Sequence, residues 1–222
     1  MRFHIGQRAQ LSQEQLKVIA RYRHAVFVEA LGWCLPCRDG LEQDEFDRES
    51  TVYVFAEDEA RRITAFARLL PTTRPYPLAE VFPELLGGKV PPSSGDTWEL
   101  SRFCATGADI AGCTGWSDTA SSPLTVALLQ HALGAAEFYG AQRLITVSPI
   151  GIESLLRKAG FHSERFSGPV RYGAKRLVVC DISVPRNRPL SAPDAASAAG
   201  AVDPWNVPPP ANAGRNTLEI RV

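Results

Sequence analysis

The stretch Trp98-Glu99-Leu100-Ser101-Arg102-Phe103 decides the fold of this chain, because it has the pattern of a central strand that carries charge. Apolar residues are interleaved with polar ones, and successive side chains of a strand point to opposite faces of the sheet. Glu99, Ser101 and Arg102 can therefore share one face only if a β-bulge intervenes. A carboxylate and a guanidinium in such a strand are costly to bury unless they are paired or used. The stretch predicts either a structural ion pair or a functional site, and by itself it leaves both open.

The composition is that of an ordinary globular protein. The chain has 222 residues, of which 45% are hydrophobic and 22% charged, and this suffices for one sizeable core. The net charge is zero, so it does not favour a general attraction to nucleic acid. No apolar run is as long as a membrane span, and the N-terminus lacks the apolar core of a signal peptide. We therefore expect a cytoplasmic protein that binds neither nucleic acid nor membrane.

The five cysteines predict neither a disulfide framework nor a metal site. An odd number without paired spacing fits a reducing compartment. Cys34 and Cys37 do have the C-x-x-C spacing of redox motifs and half zinc sites. They follow a predicted helix rather than a strand, however, and neither a second cysteine pair nor a nearby histidine completes a site. The sequence therefore favours two ordinary loop cysteines and no bound metal.

An amphipathic helix is predicted over residues 12–31, because its apolar residues recur at helical spacing. Ser12 is a suitable N-cap, and Gly32 is a suitable stop. Arg23 and Phe27 lie four residues apart and are therefore neighbours on one face of this helix. From the helix pattern alone, Arg23 is either a solvated surface charge or part of a site.

An acidic, turn-rich loop follows over residues 38–50. Asp44 and Asp47 would share one side of a single helical turn, with Phe46 anchoring the loop to the core. The alternative is a solvated acidic loop, which is the commoner outcome for such a run of charge.

The remaining pattern predicts a hairpin-rich sheet covered by helices, in one domain of the α+β or mixed α/β class. Residues 51–56 and 62–70 are predicted as two strands of a hairpin, and Arg68 stands late in the second among apolar neighbours. A Pro-rich connection with a short helix leads to the central strand, and a Gly-rich loop leaves it. Further elements are predicted as a helix over 123–139 with Ser122 as its N-cap, a strand over 143–147, a helix over 151–159 and strands within 161–184.

The composition changes after residue 185. Residues 189–214 are rich in Pro, Ala, Ser and Asn and contain few large apolar side chains, so their burial cannot offset the entropy of ordering. We therefore predict one folded domain over residues 1–185 and a flexible tail over residues 186–222. Within that tail, the last seven residues can still dock as a short edge strand.

Four blocks of sequence together resemble a known family. They are Arg23-His24-Ala25-Val26-Phe27-Val28-Glu29-Ala30-Leu31-Gly32-Trp33, Asp44-Glu45-Phe46-Asp47, Ala67-Arg68-Leu69-Leu70-Pro71-Thr72 and Trp98-Glu99-Leu100-Ser101-Arg102-Phe103. In order and spacing these blocks are similar to the signatures of the LuxI-type acyl-homoserine-lactone synthases, over residues 20–105 of this chain. The pattern of helices and strands resembles that family as far as residue 184. Four blocks in order are far more specific than any one of them.

The resemblance implies a fold and a reaction. The fold would be similar to that of the GCN5-related N-acyltransferases, a single GNAT-like domain with a mixed central sheet flanked by helices. The reaction would acylate S-adenosylmethionine from an acyl-acyl carrier protein and close the lactone, yielding a quorum-sensing N-acyl-homoserine lactone, methylthioadenosine and free carrier protein. S-Adenosylmethionine is then a consumed substrate, and no cofactor is implied. The functional residues carried over from the family are Arg23, Phe27, Trp33, Asp44, Asp47, Arg68, Glu99 and Arg102.

The residue types suit a catalytic group centred on Glu99. The methionyl amine must be neutral to attack a thioester, and Glu99 is the candidate base that takes its proton, directly or through a water. Arg68 and Arg102 are grouped with Glu99 as catalytic residues. Both could equally act by fixing carboxylates through ion pairs, and the sequence leaves these roles open.

A second group would bind S-adenosylmethionine. Asp44 and Asp47 would receive its ammonium, while Arg23 or Arg102 would hold its carboxylate in a bidentate fork. Aromatic faces would stack on adenine or meet the sulfonium cation. The other members of this group are the aromatic residues Phe27 and Trp33, and Ser101 and Phe103 from the strand of Glu99.

The acyl chain needs an apolar pocket, for which the candidate lining residues are Leu100, Thr146, Ile150 and Leu155. Thr146 falls where family members that prefer 3-oxo chains carry a threonine able to donate to that oxygen. A β-branched residue is equally favoured in any strand, so the 3-oxo interpretation stays open. The sequence does not determine the chain length.

The acyl donor is expected to be an acyl carrier protein. Residues 143–188 contain nine Lys or Arg against three Asp or Glu, and such a basic surface would steer an acidic carrier protein. A solvated surface of mixed charge is the alternative. Nothing in the sequence argues against a monomer. The basic residues are Arg143, Arg157, Lys158, Arg165, Arg171, Lys175, Arg176, Arg186 and Arg188.

Two other functions remain as alternatives. A coenzyme-A-dependent N-acyltransferase of the same fold would cradle pyrophosphate with a Gly-rich loop that opens a helix. The loop before Ser122 has glycines but lacks the Arg/Gln-x-x-Gly-x-Gly pattern, which favours a carrier-protein donor. The second alternative is a module that binds S-adenosylmethionine without turnover, and release of methylthioadenosine would distinguish it from an enzyme.

Overall fold

The structure, a computed structural model, describes residues 1–107, 110, 122–150, 152–172, 175–185 and 218–221. Within them a nine-stranded mixed sheet forms the centre, and a two-stranded hairpin lies apart from it. The strands are β1 (Arg2–Gln7), β2 (Cys37–Arg38), β3 (Leu41–Glu42), β4 (Val52–Glu57), β5 (Ile63–Pro71), β6 (Thr97–Ala105), β7 (Arg143–Pro149), β8 (Ser163–Arg165), β9 (Val170–Tyr172), β10 (Lys175–Ser183) and β11 (Leu218–Arg221). The helices are α1 (Gln13–Arg23), α2 (Pro77–Glu80), α3 (Pro123–Phe138) and α4 (Ile152–Lys158).

The large sheet has helices on both faces, as the predicted mixed α/β class requires. Its strand order is β11-β1-β4-β5-β6-β7-β10-β8, and β9 also pairs with β10. One face packs against α3 through Leu128, Ala132 and Ala136, while the other packs against α1 through Leu16 and Ile19. Central strands are therefore buried on both sides, which explains their nearly continuous apolar composition.

The predicted first helix is present but changes its winding. Ser12 accepts the N–H of Gln15 at 3.2 Å and so caps α1, which ends at Arg23. The chain then continues as a π-helical segment over His24–Ala30. Gly32, with a φ of +65°, ends it, as predicted. Wider π turns are frequent at functional sites, and here the segment carries Phe27 beside the end of α1.

A β-bulge interrupts β6 at the stretch that opened the sequence analysis. Phe66 pairs with Cys104, and Arg68 pairs with Ser101. Between these two pairs the chain advances by two residues along β5 but by three residues along β6. Arg102 is the extra residue of the bulge, and its backbone lies in the left-handed region, with a φ of +50°. The bulge predicted as the condition for a shared polar face is therefore present.

Strands β6 and β7 are parallel neighbours that separate after a short pairing. They are paired at Thr97–Arg143, Trp98–Leu144 and Glu99–Ile145, and beyond this point the register ends. Leu100 and Thr146 are the first residues past the point of separation. The fork between β6 and β7 thus opens next to Glu99, in the middle of the sheet.

The outer elements follow the sequence pattern closely. The Pro-rich connection contains α2 and a 3₁₀ turn over Pro83–Leu86 in place of one short helix. Ser122 caps α3 by accepting the N–H of Thr125 at 3.1 Å, and Gly140 follows its end with a φ of +88°. At the edge of the sheet, β11 pairs antiparallel with β1, as expected for the last residues.

Some predictions fall on residues that the structure does not describe. Residues 186–217, predicted as flexible, are among them, so the predicted boundary between domain and tail stays a prediction. In the described part of the chain, no helix is both long enough and apolar enough to cross a membrane.

Candidate active site

Six charged side chains come together on the face of β5 and β6 that is turned toward α1. At each of them no more than 10% of the side chain is exposed. A solvated Arg23 and a solvated acidic loop, the two alternatives weighed for these residues, are therefore wrong. We call these side chains the ionic cluster, and its members are Arg23, Glu42, Asp44, Asp47, Arg68 and Arg102.

Arg23 joins the cluster from the end of α1. Its Nε lies 2.5 Å from Glu42 Oε2, and its Nη1 lies 2.8 Å from Asp47 Oδ1. Its Nη2 is buried and has no hydrogen-bond partner among the described residues. Glu42 reaches this point because the hairpin of β2 and β3 folds back through a turn at Asp39 and Gly40, both with positive φ.

Arg68 is the most central cation of the cluster and is fully buried. It forms a bidentate pair with Asp44, with Nη1–Oδ1 at 2.6 Å and Nη2–Oδ2 at 3.1 Å. Nη1 also lies 3.0 Å from Asp47 Oδ1, and Nε donates to Ser101 Oγ at 3.0 Å. Asp44 and Asp47 share one side of a single turn, as predicted. The side chain of Phe46, which is only 3% exposed, anchors that turn in the core.

Arg102 completes the cluster because the bulge turns its side chain to the same face. Its Nη2 lies 3.0 Å from Glu42 Oε1 and 3.0 Å from Asp44 Oδ2. Its guanidinium carbon lies 5.6 Å from the centre of the Phe27 ring, a cation–π distance. With 10% of its side chain exposed, Arg102 is the least buried arginine of the cluster. Three cations and three anions thus compensate one another.

The ion pairs decide the ionisation of the cluster. Burial by itself would raise the pKa of Glu42 and Asp47, because it disfavours their charged forms. Arg23 and Arg102 nevertheless hold the pKa of Glu42 below its ordinary value, and Arg23 and Arg68 do the same for the pKa of Asp47. The carboxylates in turn raise the pKa of Arg23 and of Arg68 against the effect of burial. These four side chains therefore stay ionised near neutral pH.

Glu99 lies beside the cluster without an ion-pair partner among the described residues. Its side chain is buried, and its Oε2 accepts the backbone N–H of Leu78, at the start of α2, at 3.3 Å. Burial raises the pKa of Glu99 to about 8, against the opposing effects of this hydrogen bond and of Arg68 and Arg102. Glu99 is thus a carboxyl group that exchanges its proton near neutral pH, at the fork of β6 and β7.

Aromatic side chains form one edge of the cluster. The rings of Phe27 and Trp33 are 5.0 Å apart and tilted by 33°. Phe27 is buried, whereas Trp33 is half-buried and keeps part of its ring open. Phe103 is not brought here: it lies on the opposite face of β6 with Leu100. Strict alternation had placed Phe103 with Glu99 and Ser101, and the bulge at Arg102 reverses the side on which it lies.

An apolar cleft lies on the other face of the sheet, between β6, β7, α3 and α4. It has a volume of about 390 Å³, part of it open to solvent. The predicted pocket residues Leu100 and Thr146 line it, whereas Ile150 does not and is 45% exposed. The side chain of Leu155 lies outside the described residues. The lining residues are Leu100, Phe103, Thr125, Val126, Leu129, Thr146, Ser148, Ile152, Leu156, Phe161 and Ile182.

Two residues of the site were missed from the sequence. Glu42 is fully buried and bonds two arginines, and Tyr53 donates its hydroxyl to Asp47 Oδ1 at 2.7 Å. Asp39-Gly40 is a strong hairpin signal and could have placed Glu42 in a strand rather than in a loop. For Tyr53 no signal was available, since an aromatic residue in a strand is ordinary.

The predicted basic surface is partly described. Arg157, Lys158, Arg171 and Arg176 are exposed. Arg143 pairs with Asp181, and Arg165 pairs with Glu153. The side chain of Lys175, together with Arg186 and Arg188, lies outside the described residues.

Comparison with known proteins gives a family and close relatives. The family model described as "Autoinducer synthase" matches residues 7–189. An acyl-homoserine-lactone synthase of Acinetobacter nosocomialis is 47% identical over 163 residues, which are 73% of this chain and 88% of the relative.

Solved structures are similar over most of the chain. The crystal structure of TofI in a ternary complex with an inhibitor and MTA has a TM-score of 0.70 at 38% identity, covering 83% of this chain and 92% of TofI. The CoA-dependent acyl-homoserine lactone synthase BjaI, solved with MTA, has a TM-score of 0.72 at 25% identity, covering 84% and 85% of the two chains. An acyl-CoA N-acyltransferase from Pseudomonas aeruginosa shares the fold alone, with a TM-score of 0.53 at 15% identity, covering 81% of this chain and 97% of that one. The predicted GNAT-like fold is confirmed.

Proposed function

The chain belongs to the autoinducer synthase family and is an acyl-homoserine-lactone synthase, and from that premise we propose its substrates and the residues that act on them. The family predicted from the four sequence blocks is thereby confirmed, and the protein is an acyltransferase. The proposed substrates are S-adenosylmethionine and an acyl-acyl carrier protein. One observation carries the proposal: Glu99, which has no ion-pair partner among the described residues, lies on β6 beside a compensated ionic cluster, and an apolar cleft opens on the other face of that strand.

Glu99 is proposed as the base of the acylation step. It takes a proton from the methionyl ammonium, and the neutral nitrogen attacks the thioester carbonyl. The N–C bond forms, the C–S bond breaks, and the departing thiolate takes the second proton of the amine. In water an α-amino group has a pKa of about 7.7–8.0, and the pKa of Glu99 is about 8. A transfer between groups of nearly equal proton affinity suits general base catalysis near neutral pH.

S-Adenosylmethionine is proposed to bind along the aromatic edge of the ionic cluster. Arg102 is the guanidinium that a ligand reaches most readily, because it is the least buried of the three, and it would hold the methionyl carboxylate. Trp33 keeps an open aromatic face for adenine or for the sulfonium. Arg23 and Arg68 act as positioning residues, since nearly all their donors are used within the cluster.

Lactone closure follows without a further proton transfer. A carboxylate oxygen of the acylated intermediate attacks the carbon that carries the sulfonium. The C–O bond forms, the C–S bond breaks, and the sulfur leaves as the neutral thioether of methylthioadenosine. The main contribution of the protein is to hold the folded conformer of the substrate.

The acyl donor is proposed to dock at the exposed basic residues near α4. Arg157 and Lys158 lie in the last turn of α4, and other residues of this helix line the cleft. A carrier protein attracted to this end would present its thioester at the cleft opening. Some solved relatives are described as CoA-dependent, so coenzyme A thioesters are the competing donors.

Mass spectrometry of the products tests the proposal directly. The purified protein would be incubated with S-adenosylmethionine and a panel of acyl-carrier proteins and acyl-coenzyme A thioesters. We expect an acyl-homoserine lactone with an equal amount of methylthioadenosine, and faster turnover with a carrier-protein donor. Acylated product without methylthioadenosine would mean a plain N-acyltransferase, and binding of S-adenosylmethionine without any product would mean a binding module.

The variant Glu99→Gln separates the base from the binding site. It keeps the shape of the side chain and its hydrogen-bond acceptor for Leu78 N–H but cannot accept the ammonium proton. We expect kcat to fall by roughly a hundredfold or more, with little change in the Kd for S-adenosylmethionine. An unchanged kcat would exclude Glu99 as the base.

A further inference from the structure

Two exposed cysteines lie beside the proposed S-adenosylmethionine site and take no part in its chemistry. Cys34 and Cys37 are both free thiols on the surface. The sequence alone favours two ordinary loop cysteines, but the structure adds what surrounds them. Cys104 and Cys180, by contrast, are buried, and buried structural cysteines are chemically inert. In the described part of the chain, the thiols that an oxidant can reach are therefore the two of one C-x-x-C pair.

The segment that carries the two thiols is held at both ends by residues of the site. Trp33 directly precedes Cys34 and donates its backbone N–H to Phe27 O at 2.8 Å. Cys37 is in β2, where its cross-strand partner is Glu42 of β3. Glu42 in turn bonds two arginines of the ionic cluster. A change in this segment therefore acts on the aromatic edge at one end and on the ionic cluster at the other.

A disulfide between the two cysteines would change the backbone of this segment. A disulfide requires its Cα atoms to lie roughly 5.5–6 Å apart, and residues three positions apart come this close only in a turn. In the reduced protein, residues 32–36 form neither a helix nor a turn nor a bend. Closing the ring would therefore bend the chain, with Leu35 and Pro36 at the tip of the new turn.

We propose that Cys34 and Cys37 are a site of reversible oxidation to a disulfide by hydrogen peroxide, and that the oxidised enzyme binds S-adenosylmethionine more weakly. The effect on binding rests on the proposed function. One sulfur attacks a peroxide oxygen, the O–O bond breaks, and a sulfenic acid and one water form. The other sulfur attacks the sulfenic sulfur, the S–S bond forms, and the S–O bond breaks to release a second water. Two thiols are oxidised, one peroxide is reduced, and both thiol protons end in water.

Binding should weaken because the bend displaces the aromatic edge rather than the hairpin. The hairpin of β2 and β3 is held by Glu42, whose buried ion pairs are costly to break. Trp33 is only half-buried, and its ring lies 5.0 Å from that of Phe27. Leu35 packs against the apolar cluster beneath α1 and would be pulled away from it. The movement therefore falls on Trp33, the residue proposed to meet adenine or the sulfonium.

Peptide mapping and ligand binding test the two parts of the inference on the full-length protein. Reduced and peroxide-treated samples would be blocked with iodoacetamide and digested with trypsin. Cleavage after Arg23 and Arg38 releases both cysteines in one peptide that contains no other cysteine. We expect peroxide to protect both from alkylation and dithiothreitol to reverse this protection. By calorimetry, the Kd for S-adenosylmethionine should rise roughly tenfold on oxidation, as the loss of one aromatic contact implies.

Two variants make the result specific. The double variant Cys34→Ser/Cys37→Ser should bind S-adenosylmethionine as the reduced protein does and should not respond to peroxide. Cys113→Ser, which removes the cysteine outside the described residues, is the matched control and should respond like the unaltered protein.

Several outcomes would overturn the inference. They are a disulfide that joins two chains, oxidation of one cysteine without ring closure, and an unchanged Kd after the ring has closed. A peroxide response that persists in the double variant would do the same. Failure of the proposed function is distinguishable, because the reduced protein would then release no methylthioadenosine, while the disulfide would still be mapped.

Discussion

The two faces of β6 differ in how their polar groups are compensated. On the face toward α1, three guanidinium groups and three carboxylates are buried together and compensate one another. On the face toward α3, the cleft is apolar apart from a few hydroxyls, and Ser148 has no described partner. Glu99 belongs to the first face by position, but within the described part of the chain it lacks the ion pair that its neighbours have. Compensated groups build the site, and uncompensated groups are the ones left for substrates.

Removing a compensated group should have the largest effect on stability. Arg68→Ala removes the bidentate partner of buried Asp44 and one of the two arginines that bind buried Asp47, and breaking a buried pair in this way costs about 3–5 kcal/mol. We expect the free energy of unfolding, measured with urea, to fall by that amount. Arg143→Ala is the matched control, because Arg143 pairs with Asp181 while 47% exposed, and such pairs contribute at most about 1 kcal/mol. Similar losses in both variants would contradict the distinction.

Removing the uncompensated Glu99 should instead change how stability depends on pH. The pKa of Glu99 is about 8 in the folded protein and about 4.3 when unfolded. The folded state therefore holds a proton that the unfolded state has lost, and stability decreases as pH rises toward 8. Between pH 6 and 8 this loss is about 2 kcal/mol for one such group. Glu99→Gln should lack it, and parallel profiles of unfolding free energy for the two proteins would refute the assignment.

The open aromatic face should matter for binding more than for stability. Trp33→Ala is expected to raise the KM for S-adenosylmethionine about tenfold, as the loss of a stacking or cation–π contact predicts. Trp33→Phe keeps an aromatic ring and should recover most of the affinity. Steady-state kinetics at saturating donor would show this, and a Trp33→Ala enzyme with full lactone yield and unchanged KM would exclude the aromatic role.

Surface charge should have the smallest effect. Reversing Arg157 and Lys158 to glutamate is expected to raise the KM for the carrier protein several-fold at low salt, since steering by exposed charge is modest and screened. Reversal of Lys17 and Arg21, exposed on α1, is the matched control. The docking surface would be wrong if both pairs gave the same KM, or if the effect persisted at high salt.

Local pattern was sufficient for most of the elements and for five of the six charged residues of the ionic cluster. Alternation along residues 98–103 predicted a strand, and it indicated that Glu99, Ser101 and Arg102 can share one face only if a β-bulge intervenes. The turn over Asp44–Asp47 was also predicted, together with its anchor Phe46. Where the bulge falls was not predictable, because it depends on pairing with β5. That one residue moves Phe103 from the ionic cluster to the cleft.

Contacts that depend on the folded chain were missed. Glu42 is in a two-residue strand, too short for any periodicity, and its burial follows from where the hairpin meets Arg23 and Arg102. Ile150 was placed in the pocket because it is apolar, although it lies just beyond β7 and is largely exposed. Ser148 resembled any polar strand residue until the lining of the cleft was known.

The fork between β6 and β7 has a consequence for the order of events during turnover. The ionic cluster and the cleft lie on opposite faces of β6, so the two proposed substrates do not compete for one entrance. Neither has to depart before the other arrives, and no side chain has to store the acyl group between two half-reactions. For the proposed substrates, this arrangement predicts turnover through a ternary complex, with sequential rather than ping-pong kinetics.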